Sequence, residues 1–287
     1  MMRLLAIILS VIVFIISAQA STPSRRALVI GLGEQLDPAW SKINGDRDVP
    51  LVSDMLRSCG YNDIRTLTNS GATKKAIVRA FRNLSSECSA GDIVYIHFSG
   101  HGQRMTDTHG DEEDGWDEAW IPYDAFLAYG PSDKGEKHLS DDEIAALLAD
   151  IRKKITDRGE LVVVVDACHS GDSTRDDGDK RPTRGAYDNF VIPGKKAGYN
   201  PSKSRKEDWI TFSACLDYQI NFEHPSGYGM LTYALHTMLP SVQSMSNREI
   251  RSAVEEYISR PGIRGRFPQS PELTGLTDSR HFNSVFR

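Results

Sequence analysis

Two short apolar runs, each ending in a reactive side chain, constrain this chain more than any other feature. Residues 92–102 read DIVYIHFSGHG and end on His101 and Gly102. Residues 161–171 read LVVVVDACHSG and carry Asp166 and Cys168. Four or more consecutive apolar residues without polar alternation indicate a strand of a parallel sheet, buried on both faces. Each run stops in a polar, glycine-containing turn. Parallel neighbours would deliver His101 and Cys168 to the same carboxyl edge, where open α/β sheets place their sites. Adjacent strands lie about 4.8 Å apart, so a thiol and an imidazole there come within reach of each other. That is the pairing a cysteine nucleophile requires.

The remaining pattern fits the same architecture. Residues 26–33 read as a strand ending in glycines, and 46–58 as a helix with an apolar stripe of Val49, Val52, Met55 and Leu56. The pair Gly31 and Gly33 lacks the third glycine of a dinucleotide loop. A strand is expected at 64–68, a helix at 73–84, a polar loop at 106–123 and a helix at 141–155. Ser140 is that helix's N-cap, and Glu143 stands at the capping-box position. Further on come a strand at 209–212, a helix at 232–239 stopped by Pro240, and a helix at 247–258. Residues 171–206 lack periodicity and are rich in Gly, Pro, Lys, Arg and Asp, as an exposed basic loop would be. The chain is therefore expected to form one α/β domain over residues 21–287. A mostly parallel six-stranded sheet would carry helices on both faces, making three layers.

Residues 1–20 read as a secretory signal peptide, with Arg3 as its only charge, an apolar core at 4–16 and a small-residue cleavage site at Ala18–Ala20. The core is shorter than the roughly 20 residues of a membrane span. The protein is thus expected to be secreted or periplasmic, with no membrane association after cleavage, and monomeric. A net charge of −5 argues against nucleic acid as a partner. The four cysteines, Cys59, Cys88, Cys168 and Cys215, show neither a disulfide framework nor zinc spacing. Export would permit a Cys59–Cys88 bridge.

The residues suggest roles. Cys168 as thiolate could attack a peptide carbonyl, with His101 protonating the leaving amine. His169 is adjacent to Cys168 in sequence, so their side chains diverge. The backbone N–H groups of Gly102 and Cys168 are candidate donors to the oxyanion. Asp166 lies two residues before Cys168, and Ser99 two before His101, so each pair faces one way. A carboxylate beside the nucleophile favours a cationic substrate side chain. Asp107, Asp111, Glu112, Glu113, Asp114, Asp117 and Glu118 crowd one loop, which needs solvent or a hard cation such as Ca²⁺.

The HFSGHG and DACHSG motifs together resemble the catalytic segments of metacaspases, within the caspase-like cysteine peptidases. The likeness runs from about Arg26 to the C-terminus. It implies a caspase-like three-layer sandwich, a Cys168–His101 dyad, and peptide or protein substrates cut after Arg or Lys. It implies a specificity pocket of Asp166, Ser99 and an Asp near the first helix. That Asp matches Asp48, with Asp46 as a rival, and Arg47-Asp48 departs from the family's Asn-Asp. The chemistry requires no cofactor. Calcium activation is implied through Asp117, Asp141 and Asp142, whereas a further family ligand is replaced here by Arg175, with Asp172 or Asp176 nearby. The basic residues Lys180, Arg181, Arg184, Lys195 and Lys196 would be sites for self-processing. A clostripain- or gingipain-like peptidase and an inactive caspase-fold scaffold are the alternatives.

Overall fold

The computed structural model describes residues 23–169, 181–195, 197–200, 207–277 and 280–287. The expected signal peptide and the stretch 170–180, with Asp172, Arg175, Asp176 and Lys180, lie outside the described residues, as does Lys196. The chain first forms β1 (Arg25–Gly31), α1 (Gly45–Ser58), β2 (Asp63–Thr68), α2 (Lys74–Glu87) and β3 (Ile93–Ser99). A small sheet follows, made of β4 (Gly102–Thr106), β5 (Trp116–Trp120) and the two-residue β6 (Leu139–Ser140). Then come α3 (Asp141–Ile155), β7 (Glu160–Asp166), β8 (Ile210–Ser213), the short pair β9 (Glu223–His224) and β10 (Tyr228–Gly229), α4 (Met230–Val242), α5 (Asn247–Ile258) and β11 (Glu272–Thr274).

The main sheet has six strands in the order β11-β8-β7-β3-β1-β2, all parallel except the β11–β8 edge. Strand β7 shows why the apolar runs are continuous. Val162 and Val164 enter a core shared with Val52 of α1, Leu235 of α4 and Val254 of α5. Leu161, Val163 and Val165 enter a second core with Phe81 of α2 and Ile151 of α3. Both faces are covered, so both parities are apolar. Each such aliphatic side chain contributes about 1.5–3 kcal/mol by leaving water. Ser140 and Glu143 form the expected capping box at the start of α3, and Ser246 with Glu249 forms another on α5.

Three expectations change. The stretch 106–123 is not simply a polar loop, because β5 pairs along the whole of β4. Its sequence, WDEAW, buries Asp117 and Ala119 on one parity, so an acidic residue stands where hydrophobic periodicity requires an apolar one. Helix α4 runs through Pro240 to Val242, since a proline in the last turn removes only one late hydrogen bond. Cys59 and Cys88 are free thiols in the two different cores, on opposite faces of the sheet, and cannot bridge. Among the described residues no helix is long and apolar enough to cross a membrane.

Candidate active site

The strand register sets the site. Gly31 pairs with Ser99, and Ser99 with Asp166, so β1, β3 and β7 end level at one carboxyl edge. His101 and Cys168 follow two residues beyond Ser99 and Asp166, and both are buried. Gly102 lies directly against the backbone of Cys168. A Cβ there would meet the Cys168 carbonyl oxygen at 2.5 Å, so only glycine permits the approach.

The His101 ring packs on Trp40, with centroids 4.9 Å apart. Its Nε2 lies 2.8 Å from the Ser41 carbonyl oxygen and donates its proton there. Nδ1 is then the basic nitrogen, and it is buried without a hydrogen-bond partner. Burial pushes the imidazole down to about 4; the Ser41 hydrogen bond opposes the shift and the charge of Arg184 adds to it. His101 is thus neutral at ordinary pH. The Cys215 thiol donates toward the Gln219 carbonyl at 3.6 Å, and the neighbouring Cys168 thiol pushes it well above its usual range, with burial adding. His169 lines a separate cavity with Glu118, Trp120, Asp141 and Asp217.

The cleft is filled by the protein's own chain. The Arg184 carbonyl oxygen accepts from the N–H of Cys168 at 2.9 Å and from that of Gly102 at 3.2 Å. These are the two groups expected from sequence to hold an oxyanion. The Arg184 side chain is fully buried, contrary to the exposed basic loop expected over this stretch. Nη1 donates to Asp48 at 2.9 Å and to Ser99, and lies 3.8 Å from the Asp166 carboxylate. Nε and Nη2 both donate to Oε1 of Glu223, at 3.2 and 3.0 Å. A guanidinium offers its donors in a fixed planar fork that a carboxylate can match. Burial alone would lower the guanidinium, but Asp48, Asp166 and Glu223 outweigh it and hold Arg184 above its ordinary value.

The expected Asp48, Ser99 and Asp166 therefore meet around one cation. Asp46 does not join them, and bonds to Asn69 instead. The pocket's carboxylates are themselves held. Gly229 N–H donates to both oxygens of Asp48, at 3.0 and 3.1 Å. Asn221 donates to Asp166 at 2.8 Å, and Thr232 donates to it from both backbone N–H and hydroxyl, each at 2.7 Å. Burial raises Asp48 to about 6, with Arg184 opposing and Asp166 adding.

The acidic cluster forms a second constellation. Asp117 is buried on β5, and Asp141 and Asp142 open α3. Burial, then neighbouring carboxylates led by Asp141 and Asp107, push Asp117 up to about 8. Asp141 stands at about 7, chiefly through burial. Oδ1 of Asp111 and Oδ1 of Asp141 are buried without hydrogen-bond partners. Ligand atoms of Asp107, His109 and Asp117 lie within 4.8 Å of one another. Crowded, partly dehydrated carboxylates of this kind fit a hard cation.

A parallel sheet between helix layers, with a cysteine and a histidine at its carboxyl edge, defines the class. The caspase-domain family model matches residues 24–282, and the chain belongs to this family of cysteine peptidases. It is similar to metacaspase-1B of Aspergillus terreus, with 35% identity over 162 residues, covering 53% of this chain and 39% of that protein. Against metacaspase-1A of Neurospora crassa the identity is 32% over 158 residues, covering 51% of this chain and 32% of that one. The match thus spans well under half the length of these relatives. In fold it is similar to the crystal structure of protein GSU0716 from Geobacter sulfurreducens, with a TM-score of 0.64 and 23% identity over 92% of this chain and all of that one.

Sequence reasoning missed Glu223, Ser41, Asn221 and Thr232. Glu223 follows a strand by ten residues, and no motif marks it. Ser41 acts through its carbonyl, which any residue could supply. Arg184 was one basic residue among several, and only packing singles it out.

Proposed function

We propose that the chain is an endopeptidase that cuts after arginine, with Cys168 and His101 as its catalytic residues, and that the Arg184–Gly185 bond is its own processing site. One observation carries this: Arg184 lies buried among Asp48, Asp166, Glu223 and Ser99 while its carbonyl oxygen accepts from both candidate oxyanion donors. A side chain and a carbonyl held together in this way present a bond for attack.

In the proposed reaction the Cys168 proton passes to Nδ1 of His101, and Sγ bonds to the arginine carbonyl carbon. The N–H groups of Gly102 and Cys168 hold the oxygen as it becomes negative. His101 returns the proton to the leaving amine, breaking the peptide bond. Water, deprotonated by His101, then adds to the thioester carbon; the carbon–sulfur bond breaks, the acid leaves as its carboxylate, and the Cys168 thiolate recovers its proton from His101. The contact between thiol and ring is of the kind that tightens on going to the reacting complex. Asp117, Asp141 and Asp142, with Asp107, would hold Ca²⁺, whose role would be to neutralise the crowded carboxylates beside β4 and β5. We further propose export directed by residues 1–20, and action as a single chain.

The test is an assay of the protein, with and without Ca²⁺, on peptides ending in Arg, Lys, Asp or Asn, beside Cys168→Ala. Turnover should be confined to basic peptides and absent from the variant. Faster cleavage after Asp would overturn the reading. An inactive scaffold would leave every peptide intact.

A further inference from the structure

The segment carrying Arg184 is held on both sides as an added strand. Arg184 N–H donates to the Asn221 carbonyl at 2.9 Å, and Glu223 N–H to the Pro182 carbonyl at 3.0 Å. On the other side, Ala186 N–H donates to the Gly102 carbonyl at 3.0 Å. Bridges link Thr183 to Phe222 and Gly185 to Gly102. Main-chain pairing of this kind accepts any sequence, and selection falls to side chains that meet built pockets.

Two positions besides Arg184 meet such constraints. The first is Arg181, three residues upstream. Its Nη1 donates to the Ile263 carbonyl at 2.6 Å and its Nη2 to the Arg264 carbonyl at 2.8 Å. Its guanidinium carbon sits 5.5 Å from the centre of the Phe222 ring, within cation–π range. The loop after α5 thus offers two acceptors and Phe222, just before β9, an aromatic face, and a neutral side chain would leave these unused. The second is Gly185. A Cβ there would lie 2.5 Å from Sγ of Cys168 and 2.7 Å from its carbonyl oxygen. Any larger residue must displace the scissile bond from the sulfur that attacks it.

We propose that the cleft selects a five-residue substrate class, Arg-x-x-Arg-Gly, cut between the second arginine and the glycine. The Ile263 and Arg264 carbonyls with the Phe222 face form a subsite for the upstream arginine, and the Cys168 backbone excludes side chains after the cut. This rests on Arg184 standing as the residue before the scissile bond.

The experiment uses the full chain and internally quenched peptides built on Arg-Pro-Thr-Arg-Gly. Three variants replace the first arginine by alanine, the glycine by valine, or the second arginine by alanine. Replacing the upstream arginine or the glycine should each lower kcat/KM by about tenfold or more, as loss of charged hydrogen bonds or of close fit does. Phe222→Leu should narrow the gap between the parent and the first-arginine variant. If all peptides retaining the second arginine are cut within about twofold of one another, the motif is wrong while cleavage after arginine stands. If the peptide lacking the second arginine is cut equally fast, or none is cut, both fall.

Discussion

At the level of a single residue, the proposed preference for arginine over lysine rests on Glu223. It accepts from both Nε and Nη2 of Arg184, which the single ammonium of a lysine cannot reproduce. Glu223→Gln should therefore lower kcat/KM for arginine peptides by about tenfold or more, and that for lysine peptides by much less. Equal losses on both would contradict the fork. Asp48 sets a pH dependence. Burial first, with Asp166 adding and Arg184 opposing, raises its carboxyl from 3.8 to about 6. A raised acid gains its proton as pH falls through about 6, so the pocket loses one negative charge there. His101, held at about 4, stays neutral across the same range. Cleavage after arginine should decline as pH drops through about 6, and Asp48→Asn should remove that limb while lowering activity throughout. A wild-type profile flat across that range would contradict the assignment.

Elements carry the site by ending level. The β3 and β7 runs were legible because burial on both faces erases polar alternation, and their last residues fell in register, Ser99 on Asp166. The α3 cap was legible because Ser140 and Glu143 act locally. Strands β4 and β5 were not, because Asp117 occupies an inward position and the stabilising partners lie across the hairpin. That same hairpin brings Asp117 to Asp141, so Ca²⁺ at millimolar concentration should raise the melting temperature by several degrees. Asp117→Asn should abolish the rise; no shift in the wild type removes the metal from the account. In the core, Phe212 is fully buried edge-on to Phe282, at 5.0 Å between centroids. Phe212→Ala should cost about 3–5 kcal/mol in denaturant titration. Ser246→Ala, which removes the exposed cap of α5, should cost about 1 kcal/mol.

Across the whole molecule, the layered sheet and its paired motifs could be read from the chain because each is local or periodic. The occupant of the cleft could not. Arg184 reaches Asp48 across 136 positions and Glu223 across 39, distances at which no sequence pattern operates. The molecule thus joins the edge that carries His101 and Cys168, the carboxylates of Asp48, Asp166 and Glu223, and a segment of its own chain into one arrangement, which makes that segment the proposed first substrate. The most direct test is intact-mass analysis of the wild type, Cys168→Ala and Arg184→Ala after incubation with Ca²⁺. The wild type should separate into two fragments that meet between Arg184 and Gly185, and both variants should lack that break. A wild type that stays whole, or one that breaks at this bond when the Cys168 sulfur is gone, would contradict the account.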